Sequence, residues 1–184
     1  RDIWNGPPHA SEAPYAHSKR AMYAQLEAYN AQYGLDYAYC VSTNLYGPHD
    51  RFDEEWGHVV PALISKFHRA VTRNETPTVW GSGQVRRDFL YSADAARAMR
   101  MIGEEASGPI NLATGRTHSI RDTVELLCKV TGFTEQVAWN ASMPDGQRQR
   151  DYDISRLSSL GFTPEVDLEE GLARTYRWYS DNVD

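Results

Sequence analysis

Cysteine is almost missing from this 184-residue sequence: Cys40 and Cys128 are the only two, far apart and in no C-x-x-C spacing. That excludes a disulfide framework, a thiolate metal knuckle and a dithiol redox motif, and makes a reducing cytoplasm the expected compartment. The six histidines are scattered without ligand spacing, so no metal site is expected. A long apolar run is lacking as well; nothing approaches the roughly 20 residues that cross a bilayer, and no membrane partner is expected. Positive charge is also short, with a formal net charge of -6. A general nucleic-acid binder would be strongly basic, so nucleic acid is not expected as a partner. Any site for a phosphorylated ligand must then be a local cluster of cations. The sequence also lacks an initiator methionine and any signal-like segment, going from Arg1 almost directly into a helix-start pattern. A truncated gene, a processed product and an excised fragment all fit that beginning.

What remains is an ordinary globular composition, 41% hydrophobic and 24% charged, enough to bury a core in one large domain or one and a half small ones. The periodicity predicts a helix over 14–33, begun near Ser11 or Glu12 and stopped at Gly34. Its stripe of Tyr15, Lys19, Met22, Leu26, Tyr29 and Tyr33 has the spacing of a packed helical face. A buried strand is expected over 36–42, running into a loop at Thr43-Asn44-Leu45-Tyr46-Gly47-Pro48, where open α/β sheets commonly place ligand contacts. A second helix is expected over 58–71, with Val60, Leu63, Ile64 and Phe67 on one face and Pro61 tolerated in the first turn. Extended segments 78–80 and 87–91 flank a Gly81-Ser82-Gly83 turn. Further along, Ser92 is expected to cap a helix through 101, 110–114 to be a strand, and Ser119 with Asp122 to cap a helix ending at Gly132. A short strand over 136–139, a brief helix from Asp153 to Gly161 and a last helix capped by Asp167 and Glu170 complete the pattern. Alternating strands and helices define an α/β protein.

The first helix carries a Tyr-x-x-x-Lys pair, Tyr15 and Lys19, on one face because four residues make slightly more than one turn. An ammonium beside a phenol favours the phenolate, which suits proton transfer to a carbonyl oxygen. With eleven tyrosines and three lysines, chance alone gives such a spacing roughly once in five or six sequences. On spacing alone, a lysine that snorkels along a packed face is the better reading. Other words follow in order: Asn5-Gly6-Pro7-Pro8-His9, Pro14-Tyr15-Ala16-His17-Ser18-Lys19-Arg20, Thr43 to Asp50, Gly57-His58-Val59-Val60-Pro61-Ala62-Leu63, Val79-Trp80-Gly81-Ser82-Gly83 and Met143-Pro144-Asp145-Gly146. Through this series the sequence resembles the extended short-chain dehydrogenase/reductases, and within them the GDP-L-fucose synthase family.

That resemblance implies part of a Rossmann-type parallel sheet, its amino-terminal half missing, plus a smaller α/β substrate-binding domain. The implied division is 1–48 for the Rossmann remnant with the Tyr-x-x-x-Lys helix, 49–85 for a substrate-binding part, 86–115 for a Rossmann-associated strand and helix, and 116–184 for a carboxyl-terminal substrate-binding domain. It implies epimerisation of GDP-4-keto-6-deoxy-mannose at carbons 3 and 5, then reduction of the keto group with NADPH. Tyr15 would donate the proton in reduction and Lys19 would tune it and hold the nicotinamide ribose. Ser42, Thr43, Asn44, Leu45 and His58 would lie along the NADP cofactor, and His58 would be the acid in epimerisation. An imidazole suits proton exchange near neutral pH, although a histidine at a helix start is also often a polar cap. Lys66, Trp80, Arg87, Asp145 and Arg150 would bind the GDP part. Left open are solvated surface charge for Lys66 and Arg150, a buried core indole for Trp80 and a structural ion pair for Arg87. The glycine-rich cofactor turn, the upstream catalytic serine and the cysteine base of that family are not found in this sequence, and Cys40 reads as a small core residue. The chain by itself is therefore expected to bind GDP weakly, NADPH hardly at all, and to be inactive alone. A homodimer is implied for the whole protein. The alternatives are another NAD(P)-dependent nucleotide-sugar epimerase or dehydratase, and a non-catalytic nucleotide-sugar-binding or regulatory protein.

Overall fold

The computed structural model describes residues 4–143 and 145–183. Pro144 of the Met143 to Gly146 word, and the Ser11 side chain named above as a helix-start signal, lie outside the described residues.

One extended stretch of chain changes partners in mid-course, and this positions the site. Strand β1 (Ala38–Ser42) runs parallel to β6 (Gly108–Leu112), pairing Cys40 with Ile110. Thr43 then donates its N–H to the Leu112 carbonyl at 2.9 Å and its hydroxyl to the Asp88 carbonyl at 2.8 Å. Immediately afterwards, β2 (Asn44–Tyr46) pairs in parallel with β5 (Phe89–Tyr91). The expected loop at 43–48 is thus a strand for its first half. Both ladders have to satisfy their backbone groups where little water reaches, and a single buried threonine bridges the change. The expected extended segment 87–91 is likewise split at Asp88: β4 (Arg86–Arg87) pairs antiparallel with β7 (His118–Ser119), a strand the sequence pattern did not announce. Strand β3 (Thr78–Trp80) pairs in parallel with β8 (Ala138–Asn140). The Gly81 to Gly83 turn is present, with both glycines at left-handed φ of 80° and 78°. It joins segments that belong to different ladders rather than to one hairpin.

Two apolar cores lie against these ladders. Helices α2 (Val59–Arg73), α4 (Ile120–Thr131) and α6 (Leu168–Asn182) enclose the larger, in which Ile64, Phe67, Leu127 and Leu172 are fully buried. The expected α2 stripe of Val60, Leu63, Ile64 and Phe67 is this face. Each such side chain contributes about 1.5–3 kcal/mol on burial, so a four-residue stripe outweighs the modest propensity of a helix with two valines in its first turn. The smaller core gathers Leu90, Ala98, Ile102, Leu112 and Leu157 around α3 (Ser92–Glu105) and the short α5 (Ser155–Ser159). Cys40 packs against it, and burial pushes its thiol pKa up, in keeping with a core residue.

Three local expectations need correction. Helix α1 (Ala13–Tyr33) buries only Tyr23, while Tyr15, Met22, Tyr29 and Tyr33 stay exposed, so the apolar stripe has no cover among the described residues. Ser92 does not cap α3 but is its first residue, with Tyr91 in the cap position. Asp167 caps α6 by accepting the Glu170 N–H at 2.9 Å, but the Glu170 carboxylate turns to Arg174 Nε at 2.7 Å. The expected box is therefore half formed. At α4 it is complete, with Ser119 and Asp122 exchanging both bonds.

Candidate functional site

Two adjoining cavities meet at the amino-terminal end of α2. The larger, about 630 Å³, is lined by Tyr15 of α1, by Ser42, Thr43, Asn44 and Leu45 at the partner change, and by His58. Ser92, at the start of α3, and Arg150 also face it. The backbone there is held from below: Asn44 Nδ2 donates to the Asp88 carbonyl at 2.9 Å beside the Thr43 bond. Asp88 is itself buried, and its carboxylate accepts the N–H groups of Thr114 and Gly115 at 3.1 and 2.8 Å. Burial raises the Asp88 carboxyl pKa, while those backbone N–H groups pull it back down. Gly47 permits the closest approach in this wall, since a Cβ there would lie 2.1 Å from Ser92 Oγ.

The N-cap residue of α2, His58, and the first residue of α3, Ser92, line this cavity, so the amino-terminal ends of two helices border it. His58 holds the N-cap position of α2 in extended conformation and makes no side-chain capping bond, so the polar-cap reading of this histidine fails. Tyr15 is 63% exposed, and the Lys19 ammonium lies 5.3 Å from the centroid of its ring. Lys19 does not line the cavity; its carbonyl accepts the Tyr39 hydroxyl at 2.9 Å, which ties α1 to β1.

The smaller cavity, about 270 Å³, holds Lys66, Trp80, Arg87 and Asp145. Gly57 and Val59 face it while His58, between them, faces the larger one, so the first turn of α2 is a shared wall. Trp80 is 48% exposed and is not a core indole. The Lys66 ammonium lies 4.9 Å from the indole centroid and donates to the Thr78 carbonyl at 3.0 Å. It is half-buried rather than freely solvated, and desolvation lowers its pKa against a partial offset from Glu54. Arg87 donates to two backbone carbonyls, Arg86 at 2.8 Å and Gln147 at 2.6 Å, in place of an ion pair. Desolvation and the nearby Arg150 lower the Arg87 pKa. A partly desolvated cation beside a second cation is the arrangement in which an incoming anion gains most.

The expected residues therefore fall into two groups. Tyr15, Ser42, Thr43, Asn44, Leu45, His58 and Arg150 line one cavity; Lys66, Trp80, Arg87 and Asp145 line the other. Asp145 spends its carboxylate on Ser82, accepting the N–H and the hydroxyl at 2.7 Å each. Arg150 is near Arg87 but faces the larger cavity, its guanidinium held by the Gln147 side chain at 3.0 and 2.9 Å. Sequence reasoning passed over His49, which lines the larger cavity at a left-handed φ of 66° and packs on Trp178 with ring centroids 4.5 Å apart. Its position directly after a Gly-Pro turn was the available signal. Also passed over was the bracing of this wall by α6: Tyr46 abuts Gly171, and Phe52 stacks on Trp178 and packs at a tilt against Tyr179. Among the described residues no helix is long and apolar enough to cross a membrane, and no group of three or more His, Cys, Asp or Glu side chains could hold a metal ion.

The sequence model of the NAD dependent epimerase/dehydratase family matches residues 2–113. The GDP-L-fucose synthase of Escherichia coli (strain K12) is 40% identical over 195 residues, covering 100% of this chain and 61% of the relative. GDP-L-fucose synthase 1 of Arabidopsis thaliana is 41% identical over 172 residues, covering 92% of this chain and 53% of the relative. Among solved structures, a GDP-L-fucose synthetase from Naegleria fowleri bound to NADP superposes with a TM-score of 0.91 at 30% identity, over 97% of this chain and 59% of that one. UDP-glucose 4-epimerase of Thermotoga maritima follows the same fold with a TM-score of 0.81 at 28% identity, over 94% of this chain and 55% of that one. The α/β arrangement is thus part of the Rossmann-like epimerase/reductase fold. The chain spans less than two thirds of the length of each of these relatives.

Proposed function

The chain belongs to the NAD dependent epimerase/dehydratase family, and from that premise we propose that it carries the substrate-handling part of an NADP-dependent GDP-L-fucose synthase. The observation that supports this most is the meeting of Tyr15, His58 and the Ser42 to Leu45 segment around one cavity of about 630 Å³. The cavity opens next to a second one that carries an exposed tryptophan and two partly desolvated cations. In this reading the keto sugar sits between Tyr15 and His58, and the diphosphate reaches toward Arg87 and Arg150.

The residues present fit the nicotinamide end of NADP: Ser42, Thr43, Asn44 and Leu45, braced through Thr43 and Asn44 on the Asp88 carbonyl, line the same cavity as Tyr15 and would hold it there. When bound, that cofactor supplies hydride. Tyr15 places its hydroxyl to protonate the keto oxygen as the carbon is reduced, and Lys19 stands one helical turn away to favour the phenolate left behind. His58, free of capping duty, exchanges protons at carbons 3 and 5. The same reading assigns the chain to a cytoplasmic homodimer; the exposed Met22, Tyr29 and Tyr33 of α1 support an associating face there. It also keeps the division at 48, 85 and 115 between cofactor-side and substrate-side segments.

The test is made in the whole protein that carries this chain, with GDP-4-keto-6-deoxy-mannose and NADPH. Tyr15→Phe abolishes reduction while solvent deuterium still enters at carbons 3 and 5; His58→Asn suppresses that incorporation. Undiminished deuterium uptake in the His58 variant removes its assigned role.

A further inference from the structure

The smaller cavity has a direction. Arg87 donates to the Gln147 carbonyl, and the Gln147 side chain holds Arg150, which faces the larger cavity; Lys66 directly follows Ser65, whose hydroxyl donates to Glu54 of the turn at 53–57. The Arg87 end therefore adjoins the larger cavity, and the Lys66 end adjoins the turn at 53–57. For a nucleoside-diphosphate sugar laid along this direction, phosphates fall at Arg87 and the base at Lys66 and Trp80.

Three carboxylates line the cavity, and two are already engaged. Glu54 accepts Arg69 Nε and Nη2 at 2.8 Å each and Ser65 Oγ at 3.1 Å. Asp145 is held by Ser82. The third, Glu55, has no side-chain hydrogen bond or ion pair among the described residues, yet its backbone is firmly placed. Asp53 Oδ1 accepts the N–H of Glu55 at 2.9 Å and of Trp56 at 2.6 Å. Gly57 closes the turn onto the Asp53 carbonyl at 2.9 Å, and a Cβ at Gly57 would lie 2.2 Å from that oxygen. A free carboxylate repels a diphosphate, so at the phosphate end it would oppose binding. At the base end it is an acceptor waiting for donors.

Building on the nucleotide-sugar reading above, we propose that Glu55 and Lys66 together read the edge of a guanine base lying against Trp80. Guanine presents an acceptor, O6, followed by two donors, N1–H and the 2-amino group. A cation beside a carboxylate is the complement of that order. Lys66 uses one of its three donors on the Thr78 carbonyl and keeps two for O6. Uracil and thymine offer a single donor between two carbonyl oxygens, and one of those oxygens would face the carboxylate. Adenine offers its donor and acceptor in the opposite order. Discrimination of this kind is strong because the rejected base leaves a charged group unpaired.

Calorimetric titration of the full chain with GDP, IDP and UDP tests this, since IDP keeps O6 and N1–H but lacks the 2-amino donor. The unaltered chain binds GDP about tenfold tighter than IDP, the value of one charge-assisted hydrogen bond, and UDP more weakly still. Glu55→Gln, a change to an exposed side chain, weakens GDP about tenfold and brings the GDP to IDP ratio toward one. An unchanged ratio in the variant overturns the guanine-reading role. Equal binding of GDP and UDP by the unaltered chain, lost in Arg87→Ala, also overturns it while leaving the nucleotide site standing. Failure of all three nucleotides to bind overturns both readings together.

Discussion

Replacing Gly171 by alanine sets two effects of opposite sign against each other. Gly171 lies inside α6, where alanine ordinarily stabilises a helix by about 1 kcal/mol over glycine. Here the new Cβ would fall 2.0 Å from Tyr46 Oη, 2.8 Å from its Cζ and 3.1 Å from its Cε2. Tyr46 is 3% exposed and fixed in β2, with edge-on contacts to Phe89 and Tyr91, so its ring cannot swing away without disturbing the larger core. Overpacking of this kind costs about 1–3 kcal/mol beyond any propensity gain. We expect Gly171→Ala to destabilise the protein, lowering the melting temperature by about 2–12 °C at this chain length. Tyr46→Phe removes the atom that clashes hardest but leaves the ring carbons in place. Combined with Gly171→Ala, it should recover part of the loss and not all of it, a coupling that a double-mutant cycle in urea measures directly. A rise in stability for Gly171→Ala alone would refute the reasoning, because it would mean that propensity outweighs the contact with Tyr46.

Asp94 offers a pH-dependent test. Burial alone would raise its carboxyl pKa, but the Arg97 guanidinium at 2.8 Å and the N–H groups of Val166 and Glu165 outweigh burial and hold it below the usual carboxylate range. A lowered folded pKa contributes stability above the unfolded value of about 3.9, and that contribution is lost as pH falls through the folded value. Asp94→Asn should cost about 3 kcal/mol in urea unfolding at pH 7 and flatten the stability profile below about pH 4; an unchanged acid limb counts against it. Ser119→Ala removes the acceptor of the Asp122 N–H at 2.9 Å and should cost about 1 kcal/mol, read by the same denaturation at pH 7.

Local signals were legible in the sequence because the groups that satisfy them are close along the chain. The Ser119 and Asp122 box lies within one turn, and the α2 stripe within three, and both form as read. Gly34 and Gly132 stop their helices in left-handed conformation at the expected places. The partner change at Thr43 was not legible, since its acceptors, Asp88 and Leu112, lie far along the chain and no local pattern names them. Periodicity in α1 announced an apolar stripe but carried no information about what covers it. Of the candidate site, the residue types and their order were readable, whereas the division into two cavities was not. That division depends on successive residues, Gly57, His58 and Val59, facing opposite ways at a helix start. Asp145 was readable as a neighbour of the nucleotide candidates, but its bond to Ser82 depends on packing β8 beside β3.

Asp88 has a broader consequence for how this protein can vary. Its carbonyl anchors Thr43 and Asn44, and its carboxylate fastens the turn at Thr114 and Gly115, so three stretches distant in sequence are riveted at one point. A change in any one of them is transmitted to the others, which makes the floor of the larger cavity a poor place for gradual divergence. The turn at 53–57 is tied instead through Glu54 to Ser65 and Arg69, and the segment from Asp145 to Arg150 through Asp145 to Ser82 and through the Gln147 and Arg148 carbonyls to Arg87 and Arg86, none of these bonds passing through Asp88. New sugar or base preferences can accumulate there without loosening the platform beneath.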